Sequence, residues 1–169
     1  MFWFFTCPVK FREVFHLMSV VFDTDGSSHL KEGLMGFDSE SGSFYIRIQG
    51  QFESSHYLYN YFPDGSDEPM HGHTWEVEIF LEHETRGLDE SGISIDFLSV
   101  RKRLDELLMR IDHNCINNLP EFLNINPTSE NIAKWFYRGL KSEAGKMNGR
   151  IRKIIVHEGP KNYAVFIPE

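Results

Sequence analysis

Two histidines separated by one residue, His71-Gly-His73, are the sharpest chemical feature of the chain. Side chains on a strand return to the same face every second residue, so a strand here puts both imidazoles on one side. Gly72 between them leaves room for another backbone to come close. A third histidine, His56, ends the preceding strand-like run. If the two runs pair across the connection from Asn60 to Pro69, all three rings converge. Three neutral imidazoles suit zinc with a fourth position open to water or substrate, the arrangement of catalytic rather than structural sites. A pair at this spacing also arises incidentally; the third histidine at the matching end of the neighbouring strand gives the metal reading its weight. His16, His29, His83 and His157 read as surface or ordinary packing residues.

Other groups could do acid-base work. Asp112-His113 follows a helix pattern, and an adjacent carboxylate and imidazole can form a base tuned near neutral pH. The alternative is a helix-terminal histidine favoured by the helix dipole, with Asp112 solvated. Glu68 precedes the histidine pair by three residues, and Glu158 sits at a hairpin; each also reads as an ordinary loop or turn carboxylate. Cys115 follows Asp112-His113, where a packed free thiol is expected rather than a nucleophile.

These residues need elements to carry them. Residues 44 to 53 alternate, with Phe44, Ile46 and Ile48 on one face and Tyr45, Arg47 and Gln49 on the other. Residues 71 to 82 alternate again, Trp75, Val77 and Ile79 against Glu76 and Glu78. Two half-buried antiparallel strands follow. Asp96 is placed to cap a helix whose stripe is Phe97, Val100, Leu104, Leu107, Leu108 and Ile111. Thr128 or Ser129 opens a second helix with the stripe Ile132, Trp135, Phe136 and Leu140. Two strands, 150–157 and 163–167, turn at Glu158-Gly-Pro160. The order β-β-α-α-β-β gives an α+β domain over 44–169, its helices on one face of an antiparallel sheet. Residues 1–43 form an extension with a helical hint at Phe11, Val14, Phe15 and Met18 and turn signals at 23–28 and 38–43.

Composition bounds the partners. The chain has 169 residues and a net charge of -8, from 17 Lys and Arg against 25 Asp and Glu, which disfavours nucleic acid. Hydrophobic residues at 41% and 15 Phe exclude disorder. The apolar start from Met1 to Val9 is stopped by Lys10 and Arg12, with its charge after the apolar run, unlike a signal peptide. No run is long enough to span a bilayer. Cys7 and Cys115 are two thiols expected to be reduced in a cytoplasmic protein. Met18 is a possible alternative translation start.

Taken together, Phe52-Glu-Ser-Ser-His56, His71-Gly-His73, Ile95-Asp-Phe97, Asp112-His113, Asn126-Pro-Thr-Ser-Glu-Asn131 and Val156-His-Glu158 resemble the 6-pyruvoyltetrahydropterin synthase and 6-carboxytetrahydropterin synthase family. The resemblance runs from Phe44 to the C-terminus. It implies the tunnelling fold and a hexamer of two stacked trimers with active sites at subunit interfaces. It implies zinc on His56, His71 and His73, and 7,8-dihydroneopterin triphosphate as substrate. Glu158 would anchor the pterin, with Thr128, Ser129 and Glu130 near the same pocket, and Asp112 and His113 would belong to a proton relay. Arg47, Arg101, Lys102 and Arg103 are candidates for the triphosphate.

One departure redirects the expected reaction. The family's cysteine usually lies four residues before the first histidine of the pair, and Asp67 stands there. Glu68 beside it resembles the subgroup in which glutamate replaces the thiol. That subgroup cleaves the C1'–C2' bond to give 6-hydroxymethyl-7,8-dihydropterin, a folate precursor. The 6-carboxy and 6-pyruvoyl products of the queuosine and biopterin pathways are the alternative. Two readings of other kinds remain: a non-catalytic pterin or metal binder, and a cupin-like metalloenzyme suggested by His71-x-His73-x4-Glu78. The cupin reading lacks the Pro-x-Gly expected before the second histidine and is interrupted by two helices.

Overall fold

The computed structural model describes residues 21–22, 28–29, 42–84 and 87–169. The chain divides into two compact units, Met1–Ser41 and Gly42–Glu169. In the first, β1 (Val21–Phe22) pairs antiparallel with β2 (Ser28–His29). The helical stripe expected at residues 11 to 18, Cys7 and His16 lie outside the described residues.

The second unit carries β3 (Tyr45–His56), β4 (His71–His83), α1 (Leu98–Ile111), α2 (Ser129–Gly145), β5 (Gly149–Glu158) and β6 (Asn162–Phe166). Its four strands form one antiparallel sheet in the order β3-β4-β5-β6, and both helices pack on one face of it, the tunnelling fold. Two single 3-10 turns, Ile116–Asn118 and Pro120–Phe122, join the helices.

Strand alternation decides what this face buries. On β3 the even residues point inward, Ile48 and Phe52 in the core and Ser54 and His56 beyond them. On β4 the odd residues do so, and Trp75, Val77, Ile79 and Leu81 are fully buried. Against them lie Val100, Leu104, Leu107 and Ile111 of α1, and Ile132, Phe136 and Leu140 of α2. Gly139 lets α2 approach α1: a Cβ there would meet Leu107 Cδ1 at 2.7 Å. Two residues of the expected stripes, Phe44 and Phe97, are instead about half exposed, because each lies just outside the element it was assigned to.

The helix starts follow the side chains that satisfy their free N–H groups. Asp96 accepts a hydrogen bond from Leu98 N at 3.0 Å, one residue outside the N-cap Phe97. Thr128 is the N-cap of α2 and accepts from Asn131 N. On β5 the register against β4 shifts between Phe80 and Leu81, which leaves Arg152 as the extra residue of a bulge. Ile151 and Ile154 are consequently both buried despite their odd spacing.

Candidate metal and substrate site

The β3–β4 register sets the three histidines side by side. His56 pairs with His71, and Ser54 with His73. One register further in, Trp75 pairs with Glu158 of β5, which brings that carboxylate to the same face. The imidazole centroids are 4.6 Å apart for His56 and His71, 4.8 Å for His71 and His73, and 5.4 Å for His56 and His73. Trp75 forms the floor, edge-on to His56 and His73. Gly72 is not needed for a close approach: a Cβ there would come no nearer than 3.7 Å to the Ser54 carbonyl.

Backbone carbonyls fix the orientation of two rings. His56 donates from Nδ1 to Pro127 O at 2.9 Å, and His71 from Nδ1 to Pro69 O at 2.9 Å. Each keeps Nε2 as its free lone pair, the hydrogen-bond pattern that aims a histidine at a metal. His56 Nε2 and His73 Nε2 are buried without a hydrogen bond. Both face one oxygen, Glu158 Oε1, at 3.2 and 3.3 Å. The four residues offer donor atoms within 4.8 Å of one another. Ring nitrogens facing a carboxylate inside a protein need a positive charge between them, a proton or a metal ion. The set therefore fits a cation with borderline-soft ligand preferences, held by nitrogen and one oxygen.

Glu158 also sets the ionisation of the two rings that face it. Burial works against charge on His56, but Glu158 and the Pro127 carbonyl outweigh it and raise its pKa. Burial holds His73 below its usual value, aided by the other two imidazoles and opposed by Glu158. The contact with His56 keeps the Glu158 carboxyl below the ordinary range against its burial, and the Ser129 hydroxyl, donating at 3.0 Å to Oε2, adds to this.

A cleft of about 320 Å³ opens beside this cluster. His56, Glu68, Thr128, Ser129, Glu130 and Glu158 all line it, so the structure gathers six sequence-selected residues at one opening. Glu68 is positioned by the connection between β3 and β4. Its N–H donates to Leu58 O, Asp67 accepts from Asn60 N, and a tight turn at Phe62–Ser66 uses Gly65 at φ +81°. Glu68 Oε2 is buried without a hydrogen bond, 3.9 Å from His71 Nδ1. Leu58, Tyr61, Asn162 and Tyr163 also line the cleft. Sequence reasoning missed them; the only available signal was the adjacency of Asn162-Tyr163 to the Glu158 hairpin.

Asp112 and His113 lie elsewhere. They close α1 against β3: Asp112 Oδ1 accepts from Glu53 N at 2.8 Å, and His113 N donates to Glu53 O at 2.6 Å. His113 adopts the left-handed conformation at φ +54°, and its side chain is 78% exposed. Its Nδ1 lies 2.9 Å from Asp112 Oδ2. The Glu53 N–H and then His113 hold the Asp112 carboxyl below its usual pKa. The dyad is thus preassembled, but its His113 borders a second cleft, shared with Glu53, Thr74, His73 and Cys115, rather than the one containing Glu68. Cys115 is a half-buried free thiol near Asn117, as packing predicts.

Glu78 points to the opposite face of the sheet from His71 and His73, where it binds Arg47 and His157 at 2.8 and 2.9 Å. That removes the cupin reading, which needs Glu78 beside the two histidines. Glu76, Glu78 and His157 cluster there, with Arg47 already supplying the counter-charge to Glu78.

The fold is an α+β tunnelling fold with a convergent histidine cluster beside an open cleft. The profile of the 6-pyruvoyl tetrahydropterin synthase family matches residues 45–169, and the chain belongs to that family. It is 37% identical over 74 residues to the dihydroneopterin monophosphate aldolase of Pyrococcus furiosus, a match spanning 44% of this chain and 58% of that relative. It is 26% identical over 119 residues to an Archaeoglobus fulgidus protein assigned as a 6-carboxy-5,6,7,8-tetrahydropterin synthase, covering 70% of this chain and 91% of the relative. Among solved structures it resembles Caenorhabditis elegans 6-pyruvoyl tetrahydropterin synthase, with a TM-score of 0.65 at 21% identity over 76% of this chain and 97% of that one. These relatives are pterin-processing enzymes. Among the described residues no helix is long and apolar enough to cross a membrane.

Proposed function

We propose that the protein is a zinc-dependent lyase that cleaves the C1'–C2' bond of a phosphorylated 7,8-dihydroneopterin to give 6-hydroxymethyl-7,8-dihydropterin. The observation that carries this reading is Glu68, whose buried, unpaired carboxylate oxygen stands over His71 at the mouth of the cleft. His56, His71 and His73 would hold the zinc, which when bound supplies a Lewis acid that eases ionisation of side-chain hydroxyls. Glu68 removes the 2'-hydroxyl proton. The C1'–C2' electron pair moves into the conjugated pterin, the C2' fragment leaves as an aldehyde carrying the phosphate, and an acid returns a proton to C1'. No external oxidant is needed. Glu158 accepts hydrogen bonds from the guanidine-like edge of the pterin, Ser129 fixes that carboxylate, and Thr128 and Glu130 border the ring. Tyr61 and Tyr163 offer aromatic faces for stacking.

Asp112 holds the His113 imidazole with Nε2 as the free base. Because His113 borders a different cleft from Glu68, we assign the dyad to a site completed by a neighbouring subunit in a hexamer of two stacked trimers. The side-chain phosphate is read as a single one. The name of the Pyrococcus relative supports the monophosphate.

Mass spectrometry of products from the zinc-loaded protein with dihydroneopterin monophosphate and triphosphate tests this. The expected products are 6-hydroxymethyl-7,8-dihydropterin and glycolaldehyde phosphate, with the monophosphate preferred. Glu68→Gln should lose this product while metal content and pterin binding persist. A 6-carboxy or 6-pyruvoyl product, or no turnover, would refute the reading.

A further inference from the structure

We infer that Glu158 is the fourth ligand of the metal in the substrate-free enzyme, and that the incoming heterocycle draws it off and opens that position. The inference rests on the three-histidine site proposed above and not on the identity of the product. Glu158 Oε1 lies 3.2 Å from His56 Nε2 and 3.3 Å from His73 Nε2, with hydrogen-bonding geometry to neither. A charge-assisted hydrogen bond between such groups would be shorter, about 2.7–2.9 Å. Two ligands on one tetrahedral ion with bonds of ~2.0–2.1 Å are separated by about 3.3–3.4 Å. The observed spacings match the edges of a coordination tetrahedron.

The other carboxylate oxygen is equally informative. Oε2 accepts from the hydroxyl of Ser129, a residue that lines the cleft together with Tyr61 and Tyr163. One carboxylate thus has one oxygen committed to the metal cluster and one to the ligand-facing side. A planar ligand edge with two adjacent N–H donors asks for both oxygens at once. Satisfying it pulls Oε1 from the cluster. The vertex vacated leaves the metal open, so recognition of the ring and exposure of the metal become one event.

Zinc affinity of the full-length protein and of Glu158→Gln, measured by competition with a chromogenic chelator, tests the inference. Loss of an anionic ligand is expected to weaken zinc at least about tenfold. The cobalt(II)-substituted wild type should change its visible absorption on adding 7,8-dihydroneopterin, toward the spectrum of cobalt-loaded Glu158→Gln. Unchanged zinc affinity with weakened pterin binding would show Glu158 to be an anchor only and overturn the inference. If Glu158→Gln does not fold, the wild-type cobalt titration decides alone, and an unaltered spectrum on pterin binding overturns it. A different product with reduced zinc affinity leaves this inference standing while the proposed reaction falls. The proposed product with unchanged affinity does the reverse.

Discussion

Trp75→Phe tests whether the core and the histidine cluster are one packed unit. Trp75 is fully buried, stacks parallel to Phe52 at 5.9 Å between centroids, and donates from Nε1 to the Ser54 carbonyl at 3.2 Å. Phenylalanine is smaller by roughly 40 Å³, and at about 24 cal/mol per Å³ the residual cavity costs about 1 kcal/mol. The Ser54 carbonyl loses its side-chain donor in a buried setting, which adds about 1–2 kcal/mol. The total is about 2–3 kcal/mol, a fall in melting temperature on the order of 10 °C for a domain of this size. His56 and His73 rest edge-on against the indole at 4.9 and 5.4 Å, so zinc affinity should fall as well, by several-fold. Urea unfolding with an unchanged m-value measures the first effect, and chelator competition the second. A destabilisation below about 1 kcal/mol would show that the indole N–H and volume are not what hold β3 to β4 at this end.

Other expectations follow from groups further out. Asp112→Asn keeps a carbonyl oxygen for Glu53 N but cannot hold His113 in its present tautomer; turnover should fall by about 10²- to 10⁴-fold with an altered pH profile, while metal content stays. An unchanged pH profile would remove the dyad from proton transfer. Burial pushes the Glu78 carboxyl up, but His157 and Arg47 outweigh it and hold it below the usual 4.5. A carboxyl depressed on folding adds stability above its unfolded pKa and loses it as pH falls through the folded value. The stability gap between the wild type and Glu78→Gln, followed by thermal melts from pH 6 to 3, should therefore be widest near pH 6 and close in acid. A gap independent of pH would assign the effect to shape rather than charge.

The sequence was most readable where one period governed the residues. Alternation on β3 and β4 put His56, His71 and His73 on the buried face, because the pleat that buries Phe52 and Trp75 carries them there as well. The α2 stripe was legible for the same reason, while its cap was narrowed only to Thr128 or Ser129. Element ends were not. Phe44 and Phe97 fit the apolar pattern, yet each lies one residue beyond its element, and periodicity carries no signal of where a ladder stops. Leu58 and Tyr61 enter the cleft from a connection shaped by its own hydrogen bonds, which has no period to read. The separation of Asp112 and His113 from Glu68 depends on how α1 docks at the β3 edge, a tertiary contact made through Glu53.

The position of Glu158 depends on an irregularity that a strict period would misread. Gly149 and Ile151 face the core opposite His83 and Leu81. If β5 stayed regular from there, residues 153, 155 and 157 would face inward. Lys153 and His157 would then be buried, and Ile154, Val156 and Glu158 would be turned outward. The bulge at Arg152 adds one residue and restores Ile154, Val156 and Glu158 to the helix-covered face. Arg152 stays outside, its Nε 3.4 Å from Glu82, which Arg150 already holds at 2.7 Å. Deleting Arg152 should therefore leave every inward residue of β5 inward, because a regular ladder then joins Ile151 to Lys153 directly. The deletion variant is expected to fold, to bind zinc within a few-fold of the wild type, and to lose only the second of two ion pairs on Glu82. Inserting one alanine between Ile155 and Val156 should do the opposite, turning Glu158 away from the histidines and weakening zinc by at least about tenfold. Equal zinc affinity in the two variants would mean that the register of β5 does not place the carboxylate, and that Glu158 reaches the cluster by some route other than the pleat.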